Sequence, residues 1–313
     1  MVIASIIGAI TMFKIYRLPS WILFILIIGG LFLVSCGKST VEQDNTPLPT
    51  STYPPTTDTP IPPTATSEPL AAIVNGENIS MAKYQEELSR YQAAIGTELA
   101  TEDKQRVLDD LINQTLFAQA AIESGFNVDE AMVQQRFDQL INDLGSRKAL
   151  DDWLQANGYD ENSFRKDLRR AIAVAWMRDQ IVNQVPDEME QVNARQILLY
   201  NADSANQALE QLRNGVDFTK LAAEYDPITY GDLGWLPRGY LLDEKLEEVV
   251  FKLQPGQYSD VIQTSAGFHI VQVVEKESQR LLDDAIRLDL QEKALEDWLS
   301  ERRLDSQIQI ITP

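Results

Sequence analysis

Gly231-Asp232-Leu233-Gly234-Trp235-Leu236-Pro237-Arg238-Gly239, with Gly267-Phe268-His269-Ile270 downstream, decides the fold of this chain. Glycine reaches backbone conformations that residues with a Cβ resist. Gly231, Gly234 and Gly239 therefore predict tight turns or close backbone approach around a short strand. The only histidine of the chain, His269, lies in a β-type run after it.

The flanking sequence predicts how this strand is embedded. Ala194–Tyr200 reads as a strand, Ser204–Arg213 as a helix stopped at Asn214-Gly215, and Phe218–Tyr225 as a helix capped by Asp217. After the Gly-rich strand come a helix over Asp243–Leu253, a Pro255-Gly256 turn, and strands over Val261–Thr264 and Phe268–Val274. This β-α-α-β-α-β-β order resembles the parvulin (PpiC, rotamase) family of peptidyl-prolyl cis-trans isomerases. The strings Asn214-Gly-Val-Asp-Phe-Thr-Lys-Leu-Ala222, Leu253-Gln-Pro-Gly-Gln-Tyr-Ser-Asp260 and the two glycine-bearing motifs carry the resemblance.

The resemblance implies rotation about X–Pro amides, whose barrier of about 20 kcal/mol makes folding chains wait. It implies a proline pocket lined by Leu242, Leu246 and Phe251, with Phe268 and Trp235 nearby, and no cofactor. Leu242 and Leu246 stand where the family has Met and Phe. His269 matches the family's final-strand histidine, but the partner histidine of the first strand is Gln196 here. Gln keeps a hydrogen bond and cannot titrate. The loop Asp226–Tyr230 is shorter than the family's, and Asp226 is its substitute for the family's Cys or Asp. A supporting, non-catalytic role for His269 stays open. The loop after the first strand, Asn201-Ala-Asp-Ser-Ala205, lacks the basic residues that a phosphoserine–proline preference requires.

Upstream, Ala71–Ile79 reads as a hairpin turning at Asn75-Gly76, and five helices follow between Met81 and Val185. Gly125, Gly145 and Gly158 stop the second to fourth, and Pro186 ends the fifth. Trp153 and Trp176 fall at core spacing, with a peptide-binding surface as the alternative. Ile73–Ile79, Leu108–Leu116 and Phe164–Arg170 together resemble the N-terminal chaperone region of SurA- and PrsA-like foldases. In such proteins the C-terminal segment completes that domain. Leu282–Arg303 is a long helical stretch, and Ile308–Ile311 alternates as a strand able to pair with Ile73-Val74.

The N-terminus reads as an address. Lys14 and Arg17 precede an apolar run, Trp21–Val34, of signal-peptide length. Leu33-Val-Ser-Cys-Gly37 resembles a bacterial lipobox, and Cys36 is the only cysteine. An uncleaved N-terminal anchor is the alternative, and Met12 is a second candidate start. Two acyl chains at Cys36 would anchor firmly, since each buried CH₂ contributes about 0.8 kcal/mol. The Pro-, Thr- and Ser-rich stretch up to Leu70 cannot bury enough apolar surface to fold. As an extended tether, at about 3.1 Å per residue, it reaches up to roughly 100 Å.

Composition bounds the rest. A net charge of -20 argues against nucleic-acid binding, which needs clustered Lys and Arg. One cysteine and one histidine leave no internal disulfide and no His/Cys zinc cluster. The expected fold class is α+β: a parvulin domain with a four-stranded antiparallel sheet, inserted in a mainly α-helical SurA/PrsA-like chaperone domain. The expected layout is a signal peptide over 1–35, a tether over 36–70, a helical chaperone domain over 71–186, the parvulin domain over 187–277, and a completing helix and strand over 278–313. The expected protein is an extracytoplasmic foldase, lipid-anchored at Cys36 on a bacterial cell membrane. Its partners are unfolded or partly folded secreted polypeptides, with no nucleic acid and no metal. The alternative is a non-catalytic holdase with a degenerate parvulin domain.

Overall fold

The computed structural model describes residues 68–311, so the leader, Cys36 and most of the tether lie outside the described residues. In chain order the elements are β1 (Leu70–Val74), β2 (Glu77–Ser80), α1 (Met81–Ile95), α2 (Thr101–Glu123), α3 (Glu130–Leu144), α4 (Arg147–Ala156) and α5 (Glu161–Val182). There follow β3 (Glu188–Leu199), α6 (Ala202–Arg213), α7 (Phe218–Tyr225), β4 (Asp232–Pro237), α8 (Glu244–Lys252), β5 (Ile262–Thr264), β6 (Gly267–Leu281), α9 (Asp284–Leu304) and β7 (Ile308–Ile310). Among the described residues no helix is long and apolar enough to cross a membrane.

The described chain divides into two compact units. The smaller holds 68–72, 78–110 and 310–311. Within it, the Ser80 hydroxyl caps α1 by accepting from Lys83 N, and Tyr84 donates its hydroxyl proton to Lys104 O at 3.0 Å. Ile311 N donates to Ala71 O at 2.9 Å, which gives the returning C-terminal strand a backbone partner. β7 forms a three-stranded sheet in the order β2-β1-β7.

The larger unit holds Ile73–Glu77 and Leu111–Gln309. The Asn75-Gly76 turn has φ of 51° and 84°, the type I′ geometry expected of that dipeptide. Asn75 then exchanges backbone bonds of 2.8 Å with Gln307 through its N–H and its side-chain oxygen. Aromatic stacking joins elements distant in sequence: Trp176 lies on Phe126 at 4.6 Å, and Trp298 of α9 on Phe117 at 4.7 Å. Trp176 thus packs on Phe126 while staying half-exposed, and α9 returns to the helical layer.

The four-stranded antiparallel sheet, order β4-β3-β6-β5, has a helix-covered core on each face. Successive strand side chains alternate between faces, so Ile197, Leu199 and Ile270 pack under α6 and α7. Val192, Ala194, Val271 and Val273 pack under α8 with Leu246, Val250 and Phe251. β3 begins earlier and β6 ends later than the sequence predicts. Beyond Val274 the run Glu275-Lys276-Glu277-Ser278 shows no hydrophobic alternation, yet Glu275–Glu277 pair with Gln191–Asn193, and Arg280 and Leu281 with Met189 and Glu188. No residue over Glu275–Leu281 is buried, so no periodic signal is required on that strand, although Gln191 and Val192 opposite it are buried.

Two glycines are required by close approach. A Cβ on Gly231 (φ 71°) would stand 2.0 Å from Gln196 O, and one on Gly267 (φ 142°) 2.5 Å from Leu199 O. The Gly231–Gly239 motif therefore presses its backbone against β3 at Gln196, where the Gln196 N–H donates to Gly231 O at 2.8 Å.

Candidate active site

His269 faces α8, because its strand neighbours Phe268 and Ile270 face the other way. It is 5% exposed and held at both ring nitrogens. Nδ1 lies 3.0 Å from Gln196 Oε1, and Nε2 lies 2.8 Å from Thr264 Oγ1. Ala266 N–H donates to the same Thr264 oxygen at 3.1 Å. The Thr264 hydroxyl proton is then free to serve Nε2, so Nδ1 carries the ring proton and donates to Gln196. A neutral imidazole in that tautomer has both ring nitrogens satisfied. Burial pushes the His269 pKa below its ordinary value, and the nearby Asp243 carboxylate partly opposes that shift.

Strand register explains the grouping. Leu198 and Ile262 are the direct partners of His269, on β3 and β5. Gln196 and Thr264 sit two residues away on those strands and share its face. Ile262 also packs against the α8-side core, which joins the polar trio to Leu246 and Phe251. Thr264 was not among the residues expected from sequence. Its signal is the short Ser265-Ala266 turn, which places Thr264 and His269 on the same face of one hairpin.

The other expected residues sort differently. Leu246 and Phe251 are buried at 7% and 4% exposure within the α8 core, and the Arg238 guanidinium lies 4.2 Å over the Phe251 ring. Leu242 is 99% exposed, so it lines no apolar slot. It precedes the first turn of α8 and stands at the rim of a shallow depression formed with Asp243–Lys245 and Gln263–Ser265. Phe268 packs against the α6/α7 core on the opposite face, since adjacent strand residues point opposite ways. Trp235 pairs with Asn193 and points away from the side on which Leu236 packs under α8. The Arg280 guanidinium covers its ring at 4.0 Å. Neither aromatic joins His269.

Asp226 ends α7 and folds its own loop. Its carboxylate accepts from Ile228 N and Thr229 N, both at 3.1 Å, and from the Thr229 hydroxyl. The Thr229 hydroxyl, then its N–H, hold the carboxyl below the usual carboxylate range. Among the described residues, no hydrogen bond links Asp226 with His269 or Gln196. What its turn does is deliver Gly231 to β3 beside Gln196.

A four-stranded antiparallel sheet with α6 and α7 on one face, α8 on the other, and a buried last-strand histidine defines the PPIC-type peptidyl-prolyl isomerase class. A model of the PPIC-type PPIASE domain matches residues 182–275, and one of the SurA-like N-terminal domain matches residues 12–178. The chain belongs to the SurA-like N-terminal domain family, in the group that also carries a PPIC-type domain. The foldase protein PrsA of Caldanaerobacter subterraneus is 27% identical over 66% of this chain and 74% of its own length. The chaperone SurA of Nitrosococcus oceani is 25% identical over 66% of this chain and 58% of its own, and that of Ralstonia nicotianae 31% over 55% and 42%. The chain thus spans about half the length of those two SurA relatives. A solved structure of peptidylprolyl isomerase PrsA from Bacillus cereus is 17% identical, with a TM-score of 0.44 over 74% of this chain and 88% of that one.

Proposed function

We propose that this protein is an extracytoplasmic, membrane-tethered foldase that isomerises X–Pro bonds in secreted or envelope polypeptides. The observation that carries the reading is the buried His269 bonded to half-buried Gln196 and Thr264 at the polar end of the α8-side core of a PPIC-type domain. No bond is broken in this reaction. The site has to hold the proline ring and favour the twisted amide, whose nitrogen has lost conjugation. Polar groups fixed in a partly dry setting favour a developing charge distribution without reorganising. The trio supplies such groups, and Leu246, Phe251 and Ile262 supply the apolar side. His269 acts in one neutral tautomer, and Asp226 shapes the loop that seats Gly231.

The test is catalysed exchange of a proline tetrapeptide by the full chain. Acceleration that falls about tenfold or more in His269→Ala is expected; a rate equal to buffer with the chain folded would overturn the enzymatic reading. The second reading, a non-catalytic holdase, is favoured by Asp226, whose carboxylate is committed to its own turn, and by Gln196, which cannot share a proton. Suppressed aggregation of an unfolded client that is unchanged by His269→Ala would support it.

The tether and anchor rest on Leu33–Gly37 and the Pro-rich stretch after it. Cys36→Ser is expected to release the protein from membranes, and retention would replace the lipid anchor with an uncleaved span. Domain limits of 71–186 for the helical part, 187–277 for the isomerase part and 278–313 for the completing segment belong to the same proposal. The match boundaries near residues 178 and 182 support the first of them.

A further inference from the structure

The depression beside Thr264 has a mixed character that the isomerase reading leaves unused. Its rim carries a leucine with essentially no protein neighbours around its side chain, Leu242, followed at once by Asp243 and Glu244. Lys245, Gln263, Thr264 and Ser265 complete it. Thr264 is the residue bonded to His269, so a chain lying over the trio passes this rim.

The carboxylates on this helix differ in availability. Glu247 is spent on the backbone, accepting from Gly239 N at 3.0 and 3.1 Å and from Leu241 N at 3.3 Å. Glu248 pairs with Lys252 at 3.1 Å. Asp243 commits one oxygen to Leu246 N at 2.9 Å as the helix cap. Its second oxygen, and Glu244, remain at the rim. Lys245 on the same turn, and Lys293 within electrostatic reach of Glu244, offset part of this charge. Even so, Asp243 is the ionised group whose field reaches the His269 ring. The rim therefore offers apolar surface with carboxylate directly beside it. Lysine and arginine match both parts, because their methylene stems cover apolar surface while the charged head stays polar.

Resting on the proposed isomerase reading, we infer that Leu242, Asp243 and Glu244 select X–Pro segments with a lysine or arginine next to the proline. The aliphatic stem lies along Leu242 and the cationic head meets Asp243 and Glu244. A glutamate at the same place meets like charge, and an aliphatic residue gains only the Leu242 contact. These three are specificity residues; the trio does the rest.

The test uses the full chain and tetrapeptides of the forms Ala-X-Pro-Phe and Ala-Ala-Pro-X, with X as Lys, Leu or Glu. At low salt, kcat/KM for the Lys peptide is expected to exceed that for the Glu peptide by about tenfold in at least one form. High salt should bring the ratio toward one, because exposed charges are screened. The double variant Asp243→Asn, Glu244→Gln keeps a helix cap and should reduce the ratio to about twofold. Leu242→Ser should lower the Lys and Leu peptides together. Equal rates for Lys and Glu in both forms, or Leu ahead of Lys in both, would overturn the inference while leaving the isomerase reading in place. If no peptide is accelerated, the isomerase reading fails, and the selection is then read from peptide affinities by NMR titration. Equal Kd values for Lys and Glu peptides in that titration would overturn it as well.

Discussion

The two faces of the four-stranded sheet are built from the same strands and serve different ends. Under α6 and α7, Ile197, Leu199, Ile270, Leu221 and the small residues Ala205, Ala208 and Ala222 close the face with apolar contacts. Under α8, an apolar core of similar make gives way at one end to Gln196, Thr264 and buried His269. One face is sealed, and the other keeps a satisfied polar cluster beside an open rim. A sheet can carry a buried imidazole because the opposite face supplies stability without it. The polar end tolerates burial because each ring nitrogen has a partner.

The comparison breaks most readily on the sealed face. Leu221 is fully buried there, and Leu221→Ala should cost about 2–5 kcal/mol in urea unfolding, with proline-peptide exchange by the remaining folded protein little changed. The join between the faces is next. Gly231→Ala forces a Cβ against Gln196 O, whereas the same change at Gly234, which has open space around it, meets only backbone strain. Gly231→Ala should therefore destabilise by about 1–3 kcal/mol and lower activity, and Gly234→Ala by about 1 kcal/mol. Comparable losses for the two would remove the close approach as the motif's purpose. Thr264→Val should cost about 1–2 kcal/mol by leaving Nε2 buried without a donor. It should also shift the His269 ¹⁵N resonances, whereas Phe268→Leu on the sealed face should leave them in place.

The smallest effect is in pH. Burial lowers the folded pKa of His269, so the unfolded chain takes up the proton first as pH falls. The stability contributed by neutral His269 is complete above the unfolded pKa of about 6.5. It is lost as pH falls from there through the lower folded pKa. Asp110 acts with the opposite sign: burial raises its carboxyl to about 6, so its contribution is present at low pH and is lost as pH rises through that value. The readout is therefore the difference between the parent and His269→Gln, measured as unfolding free energy at pH 7.5 and pH 5. The parent should lose more on acidification than the variant; equal losses would mean that the ring is not held neutral by the fold.

Much of the architecture was legible in the chain. Asn75-Gly76 named its hairpin because both positions need positive φ. Gly231 and Gly267 marked close approaches that admit no Cβ. His269 and Gln196 were paired by motif position, and a hydrogen bond joins them. Local conformation, hydrophobic period and motif spacing are properties of short stretches, so the sequence by itself determined the elements, their order and the identity of the frame. Tertiary structure alone decided which side chains meet. Phe268 left the site because one residue along a strand reverses the face, and Leu242 left it because the chain turns outward just before α8. Thr264 entered it because β5 pairs with β6 in a register that puts a hydroxyl on Nε2. Asp226 was drawn into its own turn by donors two and three residues away. Contacts of this kind depend on register and on competition among nearby partners, and neither is written at any single position of the chain.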